Sequence, residues 1–162
     1  MAGHSPAHCR PKAQTAGSPR HDSGAAPVPG RVAVVGPCAA GKSVLVARLR
    51  EAGYDAWQPA QEHSYVPDMW RRLANPEALI CLDVSLSTLL ARRHTTDFTQ
   101  DHLEEQHRRL EHARAHCDLH LSTDDLTERQ VFDRVVRALD AMGIVPTCRS
   151  AAREPPCSSP HR

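Results

Sequence analysis

This chain has few aromatic residues, a small net charge and no long apolar stretch. Phe, Trp and Tyr make up only 4% of its 162 residues, and the formal net charge is +1. A charge this small gives no global field that favours nucleic acid or a membrane surface. No run of about 18 apolar residues occurs, which argues against a transmembrane helix, and the N-terminus lacks the apolar segment of a secretory signal. We therefore expect a cytoplasmic protein without nucleic-acid or membrane partners.

Cysteine occurs six times, but its placement does not predict a disulfide framework. Cys9, Cys148 and Cys157 lie in polar end segments that cannot organise a core. Without a secretion signal, the expected state is reduced thiols in a cytosol.

Both ends of the chain are poor in apolar residues. Residues 1–30 are dominated by Ala, Gly, Pro, Ser and His without a strand or helix period, and residues 146–162 are similar. So little apolar surface does not offset the entropy of ordering, and both segments are predicted to be disordered. Residues 31–145 have the usual size of a single domain.

Strand and helix patterns alternate along residues 31–145. Apolar runs at 32–35 and 79–84 are typical of parallel strands buried on both faces. The alternation predicts an α/β domain in which a four-stranded parallel sheet, in the order 2-1-3-4, is flanked by helices. Weaker strand patterns lie at 54–60 and 119–121, and helical patterns lie at 43–52, 67–73, 100–116, after Ser85 and after Thr127.

The last helix has the clearest boundaries. Thr127 is a predicted N-cap whose capping box is completed by Gln130, and Gly143 followed by Pro146 ends the helix. Its predicted buried face consists of Val131, Val135, Ala138, Leu139 and Met142.

Residues 36–43 fit the pattern Gly-x-x-x-x-Gly-Lys-Ser between a buried strand and an amphipathic helix, which is the context that a P-loop requires. Gly36 and Gly41 allow close approach of backbone N–H groups to a phosphate, at the positive end of the helix dipole. Lys42 would reach the β- and γ-phosphates, and the Ser43 hydroxyl would coordinate Mg²⁺. The alternative is a glycine turn with an exposed lysine. The predicted ATP- or GTP-binding residues are Gly36, Pro37, Cys38, Ala39, Ala40, Gly41, Lys42, Ser43 and Val44.

Cys38 has two interpretations. Its position near a helix N-terminus and Lys42 favours the thiolate, so oxidation there would block nucleotide binding. Alternatively, cysteine is a small residue that fits a tight loop.

The absence of certain sequence signatures excludes several classes of P-loop protein. No Asn-Lys-x-Asp segment is present to read guanine, and the chain is too short for an AAA+ or ABC ATPase. It resembles the small P-loop kinases of the adenylate, shikimate and gluconate kinase kind, as a compact bacterial branch with four strands instead of five. The resemblance implies a three-layer α/β/α P-loop domain that binds ATP and Mg²⁺ and transfers a phosphoryl group to a small-molecule or nucleotide acceptor. The matching segments are residues 32–43, 79–85, 92–93, 112–119 and 122–124.

The resemblance also implies roles for several arginines. Arg92 or Arg93 would contact the nucleotide, and Arg108, Arg109 or Arg114 would close on the transferring phosphoryl group. Phosphoryl transfer needs positive charge on the equatorial oxygens and little covalent assistance. An Arg pair at a helix C-terminus has a structural alternative, since cations there complement the dipole.

The family places an acidic residue beside the P-loop strand, where it holds Mg²⁺ through water. Asp55, Glu62 and Asp83 are the candidates. Glu62 is favoured because it follows a strand pattern at the end where sites gather in parallel sheets. A solvated loop acid is the alternative.

The chain after this strand has a chemically mixed composition. Residues 58–70 are predicted to form the acceptor loop, in which Glu62 or Asp68 would accept a hydroxyl proton if the acceptor is an alcohol. Trp70 is predicted to be packed. Residues 94–100 would form a short lid.

Histidines on the predicted helix 100–116 suggest a different chemistry. His112 and His116 share a helix face at the spacing i, i+4, with Cys117 and His120 nearby, which gives a candidate zinc or nickel site. The alternative is a solvated face. The sequence thus leaves three hypotheses: a kinase, a nucleotide-binding regulatory module with little transferase activity, and a metal-responsive protein.

Overall fold

A four-stranded, all-parallel sheet flanked by five helices forms the part of the chain that the computed structural model describes, residues 25–94 and 97–147. This confirms the predicted α/β class. Within these ranges no helix has the length and apolar character that a membrane span requires. The strands are β1 (Val28–Val35), β2 (Asp55–Trp57), β3 (Pro76–Asp83) and β4 (Leu119–Ser122), and the helices are α1 (Lys42–Glu51), α2 (Met69–Ala74), α3 (Leu86–Arg93), α4 (Gln100–His116) and α5 (Glu128–Ala141).

The strand order is β2-β1-β3-β4, as predicted. In the centre of the sheet, Val32 of β1 lies opposite Ala56 of β2 and Ala78 of β3. Strand β1 is longer than predicted, because it begins inside the segment 1–30 that was expected to be disordered. Backbone pairing explains this, since the Val28 N–H donates to the Asn75 carbonyl at 2.8 Å. The rest of the two predicted tails lies outside the described residues, apart from 25–27 and 146–147.

Alternate residues of β1 and β3 point to opposite faces of the sheet, and helices cover both faces. One face packs against α1, α3 and α5, together with Leu103 from the start of α4, and the other packs against α2 and the rest of α4. Burial on both faces explains why the strand sequences are continuously apolar. Trp70 is buried, as predicted. The first cluster includes Val32, Val34, Ile80, Leu82, Leu49, Leu89 and Leu139, and the second includes Ala33, Val35, Leu79, Cys81, Trp70, Leu110 and Ala113.

Helix α5 begins after its N-cap Thr127 and ends before Gly143, as predicted, but one residue of its predicted buried face differs. The Thr127 side chain accepts from the Gln130 N–H, and Gln130 completes the capping box. Met142, predicted to be buried, is 38% exposed. The reason is the helix end: the Ile144 N–H returns to the Leu139 carbonyl at 2.9 Å, and Ile144 enters the core instead. A backbone return of this kind commonly brings an apolar residue onto the end of a helix.

Candidate functional site

The loop of residues 36–43 joins β1 to α1 at the carboxyl edge of the sheet, and its two glycines are needed for different reasons. Gly36 lies against β3 so closely that an added Cβ would be 2.5 Å from the Leu82 carbonyl oxygen. Gly41 has open space around it but a φ of +90°, which residues with a Cβ rarely adopt. Close approach and a φ of +155° together require glycine at the first position, and backbone conformation alone requires it at the second.

Lys42 folds back over this loop and is 5% exposed, so this lysine is buried, unlike the exposed lysine of the glycine-turn alternative. Its Nζ donates to the carbonyls of Gly36 and Pro37 at 2.8 Å each and pairs with Glu62 Oε1 at 2.8 Å. An ammonium has three donors, so these three contacts satisfy it. The next residue, Ser43, is exposed in the first turn of α1.

Glu62 is the acid that the structure places at the loop. Its carboxylate is 5% exposed, and none of the described residues gives a hydrogen bond to its Oε2. A buried carboxylate oxygen without a donor is costly, so the position fits a cation or its bound water. The other two candidates have partners elsewhere: Asp55 pairs with Arg31 at 2.7 Å, and Asp83 pairs with Arg114 at 3.0 Å.

A 3-10 turn, Gln61–His63, holds Glu62 in place after β2. The buried Gln61 side chain donates to the carbonyls of Val66 and Arg109 at 2.9 and 3.2 Å and accepts from the Trp70 N–H at 2.9 Å. One amide thus ties the turn to both α2 and α4. Sequence reasoning did not identify Gln61, because a single glutamine in a polar loop gives no periodic signal.

Gln106 on α4 is a second functional candidate that was not predicted from the sequence. Its Oε1 accepts from the Cys38 N–H at 2.8 Å, and its Nε2 donates to Cys38 Sγ at 3.3 Å. Gln106 is buried between Leu103 and Leu110 on the apolar line of α4. A polar residue at a position where the helical period requires an apolar one is the signal that could have found it.

A cleft of about 1030 Å³ opens beside the loop, between the ends of α3 and α5. Arg92 braces it, donating to the Ala39 carbonyl at 2.9 Å and to the Thr123 hydroxyl and carbonyl at 3.0 and 2.6 Å. Arg93 and Val44, both exposed, also line the cleft, so the structure brings them together with the loop. Arg48 and Arg129 also line its wall, where Arg48 pairs with Glu128 at 3.0 Å and Arg129 with Asp133 at 3.9 Å.

The arginines of α4 do not line this cleft. Arg109 donates to the Glu62 carbonyl at 3.2 Å and to the Tyr65 hydroxyl at 2.7 Å, and its hydrogen bond to Tyr65 is the main cause that raises its pKa. Arg108 pairs with Glu105 at 2.6 Å, and Arg114 pairs with Asp83. Of the three arginines predicted to act on the phosphoryl group, Arg109 therefore lies next to Glu62.

Two other predicted site segments lie at the starts of helices. Asp68 is the N-cap of α2 and pairs with Arg72 at 2.8 Å. In the predicted lid 94–100, residues 95 and 96 lie outside the described residues, and Thr99 is the N-cap of α4.

The histidines of α4 do not assemble into one ligand set. His112 Nδ1 accepts from the Trp70 indole at 3.3 Å, and burial lowers the pKa of His112 below its usual value, which suits a neutral acceptor. His116 Nδ1 contacts the His112 carbonyl at 2.7 Å, and His120 lies 3.4 Å from Asp83. Among the described residues, three His, Cys, Asp or Glu donor atoms come within 4.8 Å of one another only at Cys38, Glu62 and His63.

Asp124 links the wall of the cleft to the start of α3. Burial opposes ionisation of its carboxyl, but hydrogen bonds from the Ser85 N–H (2.8 Å), the Ser85 hydroxyl (2.9 Å) and the Ser122 hydroxyl (3.0 Å) outweigh it and hold the pKa at about 2, below the ordinary 3.8. A depressed pKa contributes stability that is complete above the unfolded value and is lost as the pH falls towards 2.

We therefore expect Asp124→Asn to lower the urea midpoint clearly at pH 6 and by about half as much at pH 3. Urea denaturation followed by circular dichroism at both pH values measures this difference. Asp125→Asn, at the exposed neighbouring position, is the matched control and should leave the midpoint unchanged. An equal loss at pH 6 and pH 3 for Asp124→Asn would show that its charge does not stabilise the fold.

The local geometry is the evidence that these residues form a ligand site. The loop, the Lys42–Glu62 pair and the arginine-lined cleft lie together at one edge of the sheet, the edge where ligands bind in open α/β folds. A scan against protein-family models and a search of curated proteins find no match to this chain.

Proposed function

We propose that this protein is a P-loop nucleotide-binding protein of the small kinase type, which binds ATP with Mg²⁺ and transfers the γ-phosphoryl group to a small-molecule or nucleotide acceptor. The observation that carries the proposal is the buried pair of Lys42 and Glu62 at the mouth of the loop 36–43, at 2.8 Å and with one carboxylate oxygen lacking a donor among the described residues. A lysine and an acid in this relation supply a phosphate ligand and a cation ligand side by side.

The cleft supports a nucleotide as the ligand. Its volume of about 1030 Å³ is at the upper end of the range for small-molecule and cofactor sites. The phosphates would lie on the N–H groups of the loop at the start of α1, where the helix dipole favours anions. Arg92 and Arg93 would add positive charge beside them, while Arg48 is already paired with Glu128. Neutral or cationic ligands gain little from such a lining.

The chain's own residues would supply binding and orientation. Lys42 would exchange the carbonyls of Gly36 and Pro37 for the β- and γ-phosphate oxygens, and the Ser43 hydroxyl and Glu62 would hold the cation directly or through water. Mg²⁺, when bound, neutralises charge on those oxygens. Arg109, fixed beside Glu62, would orient the acceptor side. Electrostatic stabilisation of this kind is the main requirement of phosphoryl transfer.

One observation favours the alternative of a regulatory module that binds nucleotide with little transfer. Arg108, Arg109 and Arg114 each already bond to an acidic side chain, Glu105 or Asp83. Closing on a phosphoryl group would require one of these pairs to break. A protein that only reports nucleotide occupancy needs no such rearrangement.

Calorimetric titration with ATP and with GTP, with and without Mg²⁺, tests the proposal, followed by an acceptor screen with labelled ATP. We expect Mg²⁺ to tighten ATP binding, and Ser43→Ala to remove most of that gain while Ser43→Thr, which keeps the hydroxyl, retains it. Transfer to a defined acceptor supports the kinase, and binding without transfer supports the regulatory module. If neither nucleotide binds the wild-type protein, the proposed function is wrong.

A further inference from the structure

Three metal-ligating side chains of different chemistry meet at the mouth of the loop 36–43. Cys38 Sγ lies 3.9 Å from His63 Nε2, and His63 Nε2 lies 3.9 Å from Glu62 Oε1. All three donor atoms lie within 4.8 Å of one another. They come from two segments of chain, the loop after β1 and the 3-10 turn after β2, so the fold creates the cluster and local sequence spacing does not.

The carboxylate of this cluster has capacity for a further partner. Lys42 occupies Oε1, while Oε2 is buried and receives no hydrogen bond from the described residues. The oxygen that pairs with Lys42, Oε1, is also the one that lies 3.9 Å from His63 Nε2. An ionised carboxylate has about four lone-pair sites on its two oxygens, so Oε1 can bind a cation while Lys42 stays on Oε1 or moves to Oε2.

The surroundings of Cys38 suit a thiolate ligand. The Gln106 Nε2 amide donates to Cys38 Sγ at 3.3 Å, and a donor to a ligating sulfur is the type of outer contact that supports metal sites. His63 is exposed, so its ring can change orientation, and a bound metal ion could exchange with solvent. A sulfur, an imidazole nitrogen and one carboxylate oxygen form a donor set that favours zinc over magnesium.

We propose that Cys38, Glu62 and His63 bind one thiophilic divalent cation, Zn²⁺ being the expected ion, with an open fourth position. Zinc bonds of about 2.0–2.3 Å in tetrahedral geometry separate ligand atoms by about 3.3–3.6 Å. The two separations that involve His63, 3.9 Å each, are longer than this by about 0.3–0.6 Å, and a small movement of the exposed His63 side chain closes that gap. Cys38 Sγ and the Glu62 carboxylate, which lie within 4.8 Å of each other, would approach by a shift of the Cys38 thiol. Binding displaces the proton of the Cys38 thiol into solvent, and no electrons are transferred.

Occupancy of this site has a consequence that rests on the proposed function. Glu62 cannot serve zinc and the magnesium of a nucleotide complex together, and zinc on Cys38 fixes the loop that would cradle the phosphates. Zinc and ATP with Mg²⁺ are therefore competitive ligands. The site would make nucleotide binding sensitive to free zinc.

The first experiment measures zinc on the full chain, purified without an affinity tag. Competition with a chromophoric chelator gives stoichiometry and affinity, and Co²⁺ substitution reports thiolate coordination by its charge-transfer absorption. We expect one tight equivalent in the wild type, with affinity at least about 100-fold weaker in Cys38→Ser and in His63→Ala, since even outer partners of metal sites contribute 10- to 100-fold. Cys117→Ser and Cys9→Ser are thiol controls that should keep the tight equivalent. Circular dichroism checks that each variant folds.

Retention of the tight equivalent by either Cys38→Ser or His63→Ala would overturn the site, as would a wild type that binds no zinc. For the competition, protein loaded with one equivalent is freed of excess zinc and titrated with ATP in excess Mg²⁺, and we expect at least a tenfold weaker apparent affinity than for metal-free protein. Equal affinities would overturn the competition. If zinc binds with the expected variant pattern but metal-free protein binds no ATP, the proposed function fails and the metal site stands.

Discussion

Replacing Lys42 with Ala will abolish detectable nucleotide binding and will also destabilise the fold by about 3–5 kcal/mol, the usual cost of removing one partner from a buried ion pair. Both members of the pair are 5% exposed, so water cannot take the place of the ammonium. The substitution leaves a buried carboxylate without a countercharge and leaves the carbonyls of Gly36 and Pro37 without their donor. Urea denaturation and calorimetric ATP titration measure the two effects.

The double variant Lys42→Ala/Glu62→Gln separates the two effects. Removing both charges eliminates the uncompensated carboxylate, so most of the lost stability should return, because replacing a whole buried pair by neutral groups is often close to neutral. Nucleotide binding should not return, since the phosphate ligand is still missing. A Lys42→Ala protein as stable as the wild type would contradict the buried pair. Restored ATP binding in the double variant would contradict the role of Lys42.

Local signals explain why most of the architecture could be predicted from the sequence. The apolar runs of β1 and β3, the caps Ser85 and Thr127 and the motif at 36–43 are each contained in a few consecutive residues. Their order along the chain, with right-handed crossovers, then restricts the sheet to few arrangements. The placement of Glu62 at the loop follows from the same rule, because the ends of neighbouring parallel strands meet at one edge.

The parts of the site that the sequence reading missed depend on contacts between distant segments. Gln61 and Gln106 are buried amides whose partners lie across the fold, so their importance appears only when α4 is packed against the loop. Asp83 was a cation candidate by position, yet Arg114 and His107 from α4 surround its carboxylate. The roles of such side chains depend on their tertiary neighbours, which neither a hydrophobic period nor a short motif specifies.

Gly36→Ala is the second substitution with a large expected effect, and we expect a loss of at least about 3 kcal/mol, at the upper end of the usual cost of overpacking. The added Cβ would lie 2.5 Å from the Leu82 carbonyl oxygen, a backbone atom of β3 that cannot rotate away. Strands β1 and β3 would have to separate at the edge where the loop begins. Nucleotide binding should therefore weaken together with stability.

Gly41→Ala is the matched comparison, because both glycines have a positive φ (+155° and +90°) and only the methyl group added at Gly36 meets a backbone atom. No atom lies within 4 Å of the Cβ added at Gly41, so the cost is limited to the left-handed φ of +90°, about 1–2 kcal/mol. Urea denaturation of both variants measures the difference in their stability. ATP titration measures how far each substitution weakens nucleotide binding at the loop. Gly36→Ala should be the less stable of the two by a clear margin. If instead Gly41→Ala is the more damaging, backbone conformation controls this loop and the close approach of Gly36 to β3 does not.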